Sequence, residues 1–148
     1  MRKTLIGFLA IIIFVSCNKE TKYSSIPKLA FKDMTPREVQ EGSNGVIRIR
    51  LDFEDGDGNI GFNTPNLFFK DNRDTAWVPF IIPDIPEKFN PSAGLKGIFQ
   101  IDYDAAFLLI RVDSLNRDRD TLTWDIYMMD KAGNKSNIVT TDTLYLTR

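Results

Sequence analysis

Histidine is missing from this chain altogether, and cysteine occurs once. Without histidine there is no Ser-His-Asp triad, no ordinary general base near neutral pH and no imidazole for zinc. A lone cysteine excludes an intramolecular disulfide, and with it the disulfide-braced core of antibody domains. Charge of one sign does not accumulate either. The 19 basic and 20 acidic residues leave a net charge of −1, with no basic footprint for nucleic acid. The longest apolar run, Leu5 to Val15, has eleven residues, too few to cross a bilayer as a helix. The chain carries no internal repeat and no low-complexity segment.

What is present suffices for one domain. The 148 residues are 43% hydrophobic and 26% charged, ordinary values for a globular chain of one core.

The apolar run follows a short basic leader, Met1-Arg2-Lys3-Thr4, the layout of a signal peptide. It ends in Phe14-Val15-Ser16-Cys17. A small residue before a lone cysteine at this place resembles the lipobox of bacterial lipoproteins, with Phe14 where Leu is more usual. The resemblance implies that residues 1–16 are a lipoprotein signal peptide. It also implies that Cys17 is the lipidation site, carrying palmitate-type acyl chains as the first residue of the mature protein. Loss of Arg2 and Lys3 leaves 17 basic against 20 acidic residues, a net of −3. Each buried CH₂ contributes about 0.8 kcal/mol, so several acyl chains hold firmly. Residues 17–25 are polar and read as a tether. Within them Lys19-Glu20 is similar to the surface-export tags of Bacteroidetes-type lipoproteins. The expected location is the outer membrane, lipid-anchored, with the periplasmic or cell-surface side left open.

From Ile26 the pattern is that of strands. Ile26 to Met34 contains an early proline and reads as an edge strand. Val46 to Phe53 alternates, with Ile47, Ile49, Leu51 and Phe53 on one face and Arg48, Arg50 and Asp52 on the other. Asn66 to Lys70 and Trp77 to Ile82 are short strands around an Asp71–Asp74 turn. Pro83 to Gly94 is an irregular connection. Gly97 to Tyr103 alternates, with Phe99, Ile101 and Tyr103 together. Ala105 to Val112 fits a buried strand or a short helix. Ser114 to Asp120 reads as a solvated loop. Thr121 to Met129 places Leu122, Trp124, Ile126 and Met128 on one face, and Ile138 to Leu146 is a closing strand. Seven or more short strands without a long amphipathic helix predict an all-β, antiparallel sandwich over residues 26–148.

Two segments carry a further resemblance. They are Phe53-Glu54-Asp55-Gly56-Asp57-Gly58-Asn59-Ile60-Gly61 and Trp124 through Asn137, which contains Asp130-Lys131-Ala132-Gly133-Asn134. Together with the lipobox, the pair resembles single-domain lipoproteins of the Bacteroidetes type. Those have an immunoglobulin-like or cadherin-like β-sandwich and mostly no assigned function.

The Asp55 loop suggests chemistry. Oxygen-bearing side chains at every second position, separated by glycines, suit a hard cation such as Ca²⁺. It is not an EF-hand, because Ile60 and Asn66 occupy the positions of the required glycine and bidentate acid. Further ligands must come from elsewhere. If the strands before Asp55 and Asp130 are B and F of an immunoglobulin-like sandwich, their following loops share one end. Asp55, Asp57, Asn59 and Asp130 then converge on a metal site. The same residues also suit plain tight turns, and spacing alone leaves both readings open.

Two other groups are candidate sites. Trp77 and Phe80, with Phe68 and Phe69, make a candidate sugar-stacking platform. Asp102 and Asp104 are a candidate carboxylate pair, but they lie two apart on one strand, facing solvent. No catalytic constellation is legible, and the chain reads as non-enzymatic. The leading expectation is an envelope lipoprotein acting as a binding or interaction module, with calcium as stabiliser. The partners are the membrane, through Cys17, and an envelope protein or glycan, with no nucleic acid. The alternative is a glycan-binding accessory lipoprotein of a nutrient-uptake system.

Overall fold

A computed structural model describes residues 23–86, 94–111 and 118–148. Cys17, the signal segment and the first part of the tether lie outside these residues. The strands are β1 (Lys28–Thr35), β2 (Glu38–Gln40), β3 (Val46–Asp55), β4 (Leu67–Asp71) and β5 (Val78–Phe80). They continue with β6 (Leu95–Asp104), β7 (Arg119–Leu122), β8 (Trp124–Met128), β9 (Val139–Thr140) and β10 (Leu144–Thr147). Among the described residues the one helical piece is a 3₁₀ turn, Ala105–Phe107.

One layer has the order β1-β3-β6, antiparallel throughout. Its centre is β3, whose apolar face Ile47, Ile49, Leu51 and Phe53 is buried as the alternation predicts. The other layer is assembled from β5-β4-β8-β9 and β2-β10-β7. These run into one another because β7 and β8 flank Thr123, while β9 and β10 flank residues 141–143. Thr141 joins the two parts: its N–H donates to the Trp124 carbonyl, and its hydroxyl accepts from the Trp124 N–H. The short β2 crosses to this layer and pairs in parallel with β10. The result is an all-β, mostly antiparallel sandwich.

The layers meet through one apolar cluster. Tyr103 of β6 lies 5.1 Å, ring to ring, from Trp124 of β8 and 6.2 Å from Phe80 of β5. Leu122, Trp124, Ile126 and Met128 are all buried in it.

Three sequence expectations are corrected. Ala105 to Arg111 is neither strand nor α-helix: after the 3₁₀ turn the chain runs irregularly, and Phe107 and Leu109 are 76% and 60% exposed. Asp104 causes the turn, its carboxylate accepting from the Ala106 N–H. Arg119 and Asp120, read as loop, begin β7 because they pair with β10. The closing strand is two strands, since residues 141–143 break its ladder. The three-residue β2 had no pattern long enough to be recognised.

Candidate metal centre

The β3–β4 loop begins one residue later than its sequence suggests. Asp55 still belongs to β3, opposite Leu95 of β6. The chain then turns through Gly58 and Gly61, both with positive φ (66° and 82°). Asp130 follows β8 at the same end of the sandwich, in a turn closed by Gly133 N–H to the Asp130 carbonyl. The two loops are tied directly, Lys131 N–H donating to the Asn59 carbonyl at 3.2 Å.

This geometry brings the predicted side chains together. One carboxylate oxygen each from Asp55, Asp57 and Asp130 lies within 4.8 Å of the others. Asp55 is 0% exposed and Asp130 2%. Asp55 Oδ2 accepts from the Asn59 N–H at 3.0 Å, and Asp57 Oδ2 accepts from Asn59 Nδ2 at 2.8 Å. Asp130 accepts from the Asn134 N–H and from Asn134 Nδ2, at 2.7 and 2.8 Å. Among the described residues, Asp55 Oδ1 and Asn59 Oδ1 are buried without a hydrogen-bond partner.

The electrostatics are unfavourable as they stand. Among the described residues, no lysine or arginine pairs with Asp55, Asp57 or Asp130. The Lys131 amine turns away to Asp84, 3.5 Å off. Burial, contact with the Asp57 carboxylate and the nearby Asp130 charge push the Asp55 carboxyl up to about 7, against the opposing Asn59 N–H. A buried carboxylate with an idle oxygen, facing two more acids, lacks a positive charge. All the donors are hard oxygens, the set that Ca²⁺ takes. The turn chemistry is equally real, because Gly58 and Gly133 hold the positive φ angles that aim these side chains.

Two residues inside and beside the loop, Ile60 and Asn66, have structural roles. Ile60 is buried in the core. Asn66 Nδ2 donates to the Phe62 and Ile82 carbonyls, and its Oδ1 accepts from the Ile82 N–H. The sequence offered no periodicity by which to find this buried amide.

The other candidates disperse. Phe69 is buried and Phe80 packs on the core, whereas Phe68 and Trp77 lie on the outer face with Tyr127. Asp102 receives a two-pronged bond from Arg48, at 2.9 and 3.0 Å, and Asp104 caps the 3₁₀ turn.

Comparison with protein-family models, with curated proteins and with solved structures found no match to this chain.

Proposed function

We propose that this chain is a non-enzymatic cell-envelope lipoprotein whose sandwich acts as a binding or interaction module stabilised by Ca²⁺. The anchor reading rests on Cys17, the single cysteine, at the end of the apolar run. The calcium reading is carried by one observation: buried Asp55 has an oxygen without partner at the point where Asp57, Asn59 and Asp130 converge. Four side-chain oxygens, with backbone carbonyls and water, reach the roughly 6–8 ligands of Ca²⁺. Binding to the folded state alone raises stability by mass action.

Calorimetric titration and melting of the protein test this. Millimolar Ca²⁺ is expected to bind and to raise the melting temperature, and Asp57→Ala to abolish the rise. Mg²⁺ is expected to do less, because it demands a tight octahedral shell. No heat of binding, with the same melt in chelator, leaves the loop as a turn only.

A second reading, a glycan-binding accessory lipoprotein, has one observation in its favour. Phe68 stacks on Tyr127 (centroids 4.8 Å apart), and Trp77 meets Tyr127 edge-on, forming an aromatic patch on the outer face. It ranks second because Lys135 lies 3.8 Å over Tyr127 and Lys70 5.1 Å over Trp77, covering ring faces that a sugar would use.

A further inference from the structure

The acidic cluster adjoins the segment by which the chain enters the domain. Gly56, between Asp55 and Asp57, donates its N–H to the Ser24 carbonyl at 2.6 Å. The approach is so close that a Cβ on Gly56 would overlap the Tyr23 carbonyl oxygen and lie 2.7 Å from the Ser24 carbonyl carbon. Gly94 closes the other side: a Cβ there would be 2.9 Å from both the Asp55 carbonyl and the Tyr23 ring. Asn134 Nδ2 is shared, donating to Asp130 at 2.8 Å and to the Ser25 carbonyl at 3.5 Å. Ser24 Oγ accepts from the Ile26 N–H, turning the chain towards β1. Residues 23–25 are therefore held by a residue between two of the acids and by a side chain bonded to a third.

We propose that a divalent cation at Asp55, Asp57, Asn59 and Asp130 controls the docking of residues 23–25 and so sets how closely the domain is held to its N-terminal anchor. This rests on the calcium reading above. With the ion bound, the two loops are clamped together and both anchor points for the segment stay aligned. Without it, three carboxylates within 4.8 Å repel, and Gly56 and Asn134 move apart with their loops. Freeing residues 23–27, as far as the start of β1, adds roughly 17 Å of reach at about 3.4 Å per residue. The coupling is reciprocal: whatever undocks the segment weakens the ion by the same factor.

Hydrogen exchange of the full-length chain in detergent, with millimolar Ca²⁺ or with chelator, reads the docking directly. The amides of Gly56 and Ile26, which donate to Ser24, are expected to exchange about tenfold more slowly with Ca²⁺, within the usual range of such couplings. Ca²⁺ binding measured on the same sample without slower exchange overturns this proposal and leaves the ion site standing. Absence of Ca²⁺ binding overturns both. Gly56→Ala supplies a second arm, since it keeps all four ligands and evicts the segment. With folding checked by circular dichroism, it is expected to lose the protection and to bind Ca²⁺ about tenfold more weakly by the same reciprocity. Wild-type Ca²⁺ affinity in that variant would refute the coupling.

Discussion

Asp55 faces two opposed demands. Its Oδ2 needs to stay an acceptor for the Asn59 N–H, and its charge has no counter-ion among the described residues. Asp55→Asn separates these demands, because an amide oxygen still accepts from Asn59 while the charge is gone. In chelator, relief of like-charge repulsion is expected to raise the melting temperature of this variant by a few degrees, about 1 kcal/mol on the usual scale. The response to Ca²⁺ should vanish at the same time. Melts with and without the ion check both effects. A variant that melts lower than wild type in chelator would mean that Asp55 is not destabilised by its neighbours.

At the scale of elements, Arg73 joins pieces that are distant in the chain. It lies in the β4–β5 turn, and its side chain is only 13% exposed. Its guanidinium makes a two-pronged bond to Asp71, Nε to Oδ1 and Nη2 to Oδ2, a bond of 2.6 Å to Asp120 on β7, and one to the Leu109 carbonyl. Arg111 adds to this end by reaching the Arg73 carbonyl and Asp74. Removing Arg73 leaves two largely buried carboxylates without their cation, so Arg73→Ala is expected to cost about 3 kcal/mol, near the lower bound for breaking such pairs. Denaturant melts of the variant measure it, and a loss within surface-pair values of about 1 kcal/mol would contradict the assignment. The same network explains what the sequence hid. Alternation revealed β3, β6 and β8, because period-two burial of Ile47, Ile49, Leu51 and Trp124 is a property of one strand alone. Asp71–Asp74 read only as a turn and Asp120 as part of a solvated loop, because their partners come from other elements. The acidic cluster was legible for a topological reason: two loops at one end of a sandwich meet whatever lies between them in the chain. The unpartnered oxygens on Asp55 and Asn59 were not legible, since burial of a side chain in a loop leaves no period to read.

For the whole molecule, the two ends of the sandwich differ. The chain enters beside the acidic cluster, where Ser24 meets Gly56. The opposite end carries Arg73 and the exposed Phe107 and Leu109, around a cavity of about 150 Å³ lined also by Tyr103 and Trp124. An anchor at Cys17 would therefore hold the acidic end nearest the membrane and present the Arg73 end outward. On the proposed reading, in which the apolar run is a cleavable signal rather than a span, that orientation depends on acylation. Several buried acyl chains exceed the marginal hold of a single one. Cys17→Ser is accordingly expected to leave the protein either unprocessed or in the aqueous phase after detergent partitioning, with incorporation of labelled acyl chains lost. The sandwich itself should keep its melting temperature once freed, since the core residues described run from Leu29 onward. Unchanged partitioning and labelling of that variant would remove the lipoprotein reading, and with it the outward orientation of the Arg73 end.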